Sequence, residues 1–154
     1  MEFEVKNTSN LKMVTTTSSK NGNHDQKLQT KMSALVVDDD AMIRRIHRKV
    51  LENHGIENQE VRNGKEAIEI ICSGRKFELI LMDRDMPVMN GIEATKQLRD
   101  MGIRSTIAGV STRSSSSEVQ EFMEAGLDDF QEKPLTPAKL KNILDNIKYK
   151  ASVS

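Results

Sequence analysis

Residues 79–91 read Leu-Ile-Leu-Met-Asp-Arg-Asp-Met-Pro-Val-Met-Asn-Gly. Four successive apolar residues stopping at an acid, Asp83, form the clearest strand of the chain. Their lack of alternation implies burial on both faces. The stretch Arg84–Asn90 carries the turn-forming residues of a loop, and a helix runs from Gly91 to about Met101. A doubly covered strand followed by a loop and a helix is the unit of parallel sheets wrapped by helices.

The same form repeats on either side. Upstream, Ala34-Leu35-Val36-Val37 stops abruptly at Asp38-Asp39-Asp40, and a helical pattern follows. There Ile43, Ile46, Val50 and Leu51 are expected on one face, with Asp40 as the N-cap and Gly55 as the end. A weaker strand at 57–61 leads to a helix at about 64–73, anchored by Ala67, Ile68 and Ile71. Downstream lie a strand at 106–111 and a helix with Val119, Phe122 and Met123 expected inside. Ser115 and Glu118 have the spacing of a capping box at its start. A short strand at 129–131 and a helix carrying Leu140, Ile143, Leu144 and Ile147 complete the pattern. Five strand–helix units in strict alternation predict an α/β fold, a (βα)5 doubly wound parallel sheet, over residues 32–150. Residues 1–31, rich in Lys, Asn, Thr, Ser and Gln, have neither helical nor strand periodicity and read as a disordered polar tail. Residues 151–154 read as a short C-terminal tail.

Composition removes several functions. Lysines plus arginines equal aspartates plus glutamates at 23 each, so the chain lacks the cationic footprint of non-specific nucleic-acid or anionic-membrane binding. Cys72 is the single cysteine, which excludes an internal disulfide and fits a reducing compartment. The acidic N-terminus does not read as a signal peptide, and no apolar run approaches the ~18 residues of a membrane span. A cytoplasmic or nuclear monomer is the expectation.

Open parallel sheets place their chemistry at the carboxyl ends of the strands, near the switch point of strand order. The residues there are Asp38 and Asp39, Asp83, Ser111, and Lys133 followed by Pro134. Three carboxylates at one mouth, ~5 Å apart at an effective dielectric of ~20, repel by on the order of 3 kcal/mol per pair. Either one of them holds a raised pKa or a cation sits among them. Carboxylate, carbonyl and water ligands suit Mg²⁺, whereas one Cys and three scattered His make no zinc site. A carboxylate is also a competent nucleophile toward phosphorus, and phosphoryl transfer needs mainly positioning and neutralisation of charge. With a metal, an ammonium and a hydroxyl to hold three phosphoryl oxygens, the set reads as an Asp phosphorylation site.

The segments LVVDDD, LILMDRDMPVMNG, IAGVS and EKP resemble the receiver domains of two-component response regulators, over about Ser33–Tyr149. The wording around Asp83 is most similar to plant stand-alone (type-C) regulators and the receiver modules of hybrid histidine kinases. The resemblance implies a flavodoxin-like strand order 2-1-3-4-5. It implies Asp83 as phosphoacceptor, direct Mg²⁺ ligation by Asp39 and Asp83, and a role for Asp38 mainly through water. Asp85 contributes its backbone carbonyl to the metal. Ser111 contacts the phosphoryl group and moves upon it, Phe130 turns inward as the switch, Lys133 pairs with the phosphate, and the Lys133-Pro134 bond is often cis. The partner implied is a histidine phosphotransfer protein or histidine kinase. The activity is that of a signalling phosphoacceptor that catalyses its own phosphorylation and dephosphorylation, with phosphohistidine phosphatase-like activity as an extension. Ser111 replaces a common Thr and Phe130 a common Tyr, and Arg84, Asp85 and Arg113 occupy flanking positions that tune acyl-phosphate lifetime.

Simpler assignments cover the remaining residues. His47 and His54 read as members of a solvated helical face, His24 lies in the tail, and Cys72 reads as a half-buried helical residue. Phe130 suits the core as well as a switch, and Ser114–Ser117 suit helix initiation. Three other functions compete: a receiver-like binding module that is never phosphorylated, a transcription factor, and a phosphatase of the haloacid dehalogenase type. The first usually lacks an acid or the lysine, both present here. About five residues after the last helix leave no room for a DNA reader. The third requires Gly-Thr where this chain has Met86-Pro87 and also needs a cap domain.

Overall fold

A computed structural model describes residues 31–153, with side chains described as far as Lys148. The tail assigned to residues 1–31 therefore lies, but for Lys31, outside the described residues. The elements in order are β1 Ser33–Val37, α1 Ala41–Asn53, β2 Glu57–Val61, α2 Gly64–Cys72, β3 Leu79–Met82, α3 Gly91–Asp100, β4 Thr106–Ser111, α4 Ser116–Glu124, β5 Asp129–Glu132 and α5 Pro137–Val153. The five strands form one sheet in the order β2-β1-β3-β4-β5, and every neighbouring pair is parallel.

The consecutive apolar runs are explained by two cores, one on each face of the sheet. Alternate residues of a strand point opposite ways. Leu35, Val37, Ile80, Met82 and Ile107 meet Ala67 of α2, Ala94 and Leu98 of α3, and Phe122 of α4. Ala34, Val36, Leu79, Leu81, Ala108 and Val110 meet Leu51 of α1 and Leu140 and Ile143 of α5. The sheet is thus doubly wound, with α1 and α5 on one face and α2, α3 and α4 on the other.

The strand ends meet at one level. Val37 pairs in register with Met82, so Asp38 and Asp83 emerge side by side in the centre of the sheet. Ser111 pairs with Glu132, which puts Lys133 one step beyond the neighbouring strand end. Helix starts hold the loops in place. Asp40 caps α1 by accepting from the Met42 and Ile43 N–H groups, and capping boxes at Asn90–Glu93 and Ser115–Glu118 start α3 and α4. Gly91 donates its N–H to the Arg84 carbonyl at 2.8 Å, and a Cβ there would lie 1.9 Å from the Asp83 carbonyl oxygen. The loop folds back tightly enough that no side chain fits at that position.

Four side chains lie where the sequence pattern did not indicate. His47 is buried, 1% exposed, and does not belong to a solvated face. The inward stripe of α1 runs Ile43, His47, Val50, Leu51 at helical spacing, which leaves Ile46 at the margin, 36% exposed. Met123 is likewise 36% exposed, because Phe122 takes the central position of α4 and Met123 lies 100° round the helix. Cys72 is exposed and unpaired rather than half-buried, one step beyond the inward stripe of Gly64, Ala67, Ile68 and Ile71.

Candidate functional site

Asp38 ends β1 and is buried, with one oxygen accepting the Asp40 N–H at 2.9 Å. The guanidinium of Arg44, one turn into α1, donates to the Asp38 carbonyl at 2.8 Å and is itself held by Glu60 of β2 at 2.9 Å. Asp39, the next residue, is exposed. Asp83 ends β3, 4% exposed, and its Oδ1 accepts the Arg84 N–H at 2.9 Å. One oxygen from each of Asp38, Asp39 and Asp83 lies within 4.8 Å of the others.

Lys133 enters from beyond β5. Its Nζ stands 2.8 Å from Asp38 Oδ2 and 3.1 Å from Asp83 Oδ1, with little of the side chain exposed. Its backbone N–H is fixed on the Ser111 carbonyl at 2.7 Å, and the Lys133-Pro134 peptide is cis, as the resemblance implies. Burial opposes the ammonium, but hydrogen bonds and charge interactions with Asp38 and Asp83 outweigh it and hold its pKa above the usual lysine value. No described residue hydrogen-bonds to Asp83 Oδ2, which leaves that oxygen for chemistry. Ser111 is 1% exposed, and its Oγ has no hydrogen-bond partner. A buried hydroxyl without a partner is costly, and an acceptor oxygen bound at the strand ends would relieve that cost.

The electrostatics follow from this crowding. Burial, then the charge of Asp38, and to a lesser degree Asp39, push the Asp83 carboxyl from 3.8 up to about 6, with Lys133 pulling the other way. One ammonium does not balance three carboxylates. The donor set is all hard oxygen at short mutual distance, so these residues fit a divalent cation such as Mg²⁺. The Asp85 carboxylate is not in the cluster: it pairs with Arg84, at 3.0 Å to Nη2, and its side chain is exposed. Arg84 also reaches Glu118 in the first turn of α4 at 3.4 Å. Phe130 is half-buried and meets Phe122 edge-on, with ring centroids 6.4 Å apart.

The strand ends brought together Asp38, Asp39, Asp83 and Lys133, with Ser111 in the adjoining strand. Sequence reasoning missed two residues of α1: Arg44, which donates to the Asp38 carbonyl, and the buried His47, which accepts from the Leu135 N–H. His47 did leave a signal, since it falls on the inward stripe where an apolar residue is expected.

Comparisons with known proteins agree with this geometry. Residues 34–145 match the family described as response regulator receiver domain. Two-component response regulator 24 of Arabidopsis thaliana is 58% identical over 121 residues, covering 79% of this chain and 87% of that protein. Two-component response regulator ARR22 of the same plant is 40% identical over 118 residues, covering 75% and 83%. A solved structure of a mutant receiver domain from the Arabidopsis histidine kinase CKI1 superposes with a TM-score of 0.70 at 30% identity, covering 77% of this chain and 90% of that one. A family match across most of the described fold, with the acidic mouth and its lysine in place, means that this chain belongs to the response regulator receiver domain family.

Proposed function

We propose that Asp83 accepts a phosphoryl group from the phosphohistidine of a histidine phosphotransfer protein or histidine kinase, and that the chain acts as a stand-alone regulator or phosphate drain. The observation that carries the reading is the buried pairing of Asp83 with Lys133 at the strand ends, beside a Ser111 hydroxyl that lacks a hydrogen-bond partner. With its carboxyl at about 6, Asp83 is mostly ionised at neutral pH, as a nucleophile must be. Its Oδ2 attacks phosphorus, the P–N bond to the donor imidazole breaks, and that nitrogen leaves with the electron pair and takes up a proton. The product is an acyl phosphate.

The residues that would hold Mg²⁺ are Asp39 and Asp83 directly, Asp38 mainly through water, and the Asp85 backbone carbonyl. The cation supplies charge neutralisation for the phosphoryl oxygens. Lys133 pairs with one oxygen, and the Ser111 hydroxyl donates to another. Hydrolysis then returns Asp83 and inorganic phosphate, with water attacking phosphorus and the acyl P–O bond breaking. Arg84, Asp85 and Arg113 follow Asp83 and Ser111 closely in the chain and are assigned the tuning of how long the acyl phosphate lasts. Phe130, in edge contact with Phe122, is the side chain that reports occupancy of the site toward α4.

One observation favours the stand-alone role and a second bears on location. Regulator 24 and ARR22 are themselves receiver-sized, since a match of about 120 residues covers most of each. No helix among the described residues is long and apolar enough to cross a membrane, and the free Cys72 thiol suits the cytoplasm or nucleus.

The test is to mix labelled phosphohistidine protein with wild type and with Asp83→Asn, with and without Mg²⁺. Label should move to wild type only with Mg²⁺ and never to Asp83→Asn. Rapid release as free phosphate supports a drain, and persistence supports signalling to a partner. No transfer under any condition leaves a receiver-shaped binding module.

A further inference from the structure

The single buried histidine among the described residues stands outside the phosphosite, yet it holds the loop that carries the lysine. His47 lies on the inward face of α1, and its Nε2 accepts the Leu135 N–H at 3.0 Å across 88 residues of sequence. Accepting at Nε2 puts the proton of the neutral ring on Nδ1. Burial, and then the nearby Lys133 charge, favour the neutral form and lower the ring's pKa from 6.5 to about 4.

Leu135 is two residues beyond Lys133, in a loop tethered from three directions. The Lys133 N–H is fixed on Ser111 of β4, the Lys139 ammonium of α5 donates to the Glu132 carbonyl at 2.7 Å, and His47 holds Leu135 from α1. The same helix controls the opposite partner, because Arg44 donates to the Asp38 carbonyl at 2.8 Å. Both ends of the 2.8 Å Lys133–Asp38 ion pair are thus referenced to α1, one through Arg44 and the other through His47.

We propose that His47 is a positioning residue for the phosphoryl-transfer site: its Nε2 fixes the height of the 133–135 loop and so holds the Lys133 ammonium against Asp38 and Asp83. The assignment of what Lys133 does there rests on the phosphoacceptor reading given above, whereas the tether itself does not. An apolar side chain of similar bulk fills the stripe of α1 equally well but offers no acceptor. A core-only role and a positioning role therefore differ in what such a side chain does to Lys133.

Two variants separate them. His47→Leu keeps bulk and removes the acceptor, whereas His47→Gln places an amide oxygen near the position of Nε2 and restores it. Two readouts are taken on folded protein at pH 8. The first is the rate at which an acylating reagent modifies the Lys133 amine relative to exposed Lys65, resolved by peptide mass spectrometry. The second is the rate of Asp83 phosphorylation by acetyl phosphate with Mg²⁺.

The expected result for His47→Leu is several-fold faster acylation of Lys133 and phosphorylation slowed about tenfold. His47→Gln should stay near wild type in both. If His47→Leu leaves Lys133 as protected as in wild type, or if His47→Gln fails as badly as His47→Leu, the proposal is overturned. If wild-type protein takes no phosphoryl group, the phosphoacceptor reading fails by itself, and the Lys133 acylation rates still decide the role of His47.

Discussion

Replacing Asp83 by Asn should stabilise the fold, and by an amount that grows with pH. The carboxyl is moved from 3.8 to about 6 by burial and by Asp38, with Lys133 compensating in part. A group whose folded pKa lies above its unfolded value contributes stability below 3.8 and loses it as pH rises through about 6. Fully ionised, Asp83 destabilises the metal-free protein by about 3 kcal/mol relative to its protonated form, and about 2 kcal/mol of that appears between pH 4 and pH 8. Asn has no such dependence and leaves Lys133 paired with Asp38. The assay is urea unfolding of wild type and Asp83→Asn in chelator at both pH values. It is followed by far-ultraviolet circular dichroism, because the chain has no Trp and one Tyr. The stability difference in favour of Asn should increase by about 2 kcal/mol from pH 4 to pH 8. A difference that stays constant, or shrinks as pH rises, refutes the claim that burial and the charge of Asp38 hold the Asp83 carboxyl above its usual range.

Other outcomes follow from the same geometry. His47 has the opposite sign: its depressed pKa supplies stability present above 6.5 and lost as pH falls toward 4. Wild type should therefore lose about 2 kcal/mol relative to His47→Gln between pH 7.5 and pH 5, measured by urea unfolding; equal loss in both would contradict this. Gly91→Ala drives a Cβ toward the Asp83 carbonyl oxygen at 1.9 Å, so unfolding free energy should fall by about 3 kcal/mol or more, and a wild-type urea midpoint would exclude it. Mg²⁺ at about 100 times its dissociation constant should stabilise wild type by about 2.7 kcal/mol in thermal unfolding, and a chelator should reverse the gain. Asp39→Asn, at an exposed position, should keep the fold and lose most of that gain; an undiminished gain would place the ion elsewhere.

How much was legible depended on whether a feature is local. The apolar runs ending at Asp38, Asp83 and Ser111 gave the strands and their functional ends directly, because a parallel strand buried on both faces has no polar alternation to confuse. Asp40 and the Ser115–Glu118 pair were visible as caps because capping is decided within four residues. The capping box at Asn90–Glu93 is equally local, but Asn90 precedes Gly91 and also suits a turn. Polarity points His47 outward and Ile46 inward, whereas the helical phase of α1 does the reverse, and a hydrogen bond from the Leu135 N–H offsets the cost of burying a ring nitrogen. The Arg44–Asp38 contact spans only six residues but depends on how α1 leaves β1, whereas the Arg84–Glu118 contact joins segments that only tertiary packing brings together. Spacing along the chain carries no trace of the Arg84–Glu118 pair.

The measurement closest to the central claim is the intact mass of the protein after incubation with acetyl phosphate and Mg²⁺, for wild type and Asp83→Asn. One added phosphoryl group is expected on wild type, lost in mild alkali as an acyl phosphate should be, and none on Asp83→Asn. The same gain in mass on both proteins would contradict it, since the phosphoryl group would then sit on a residue other than Asp83.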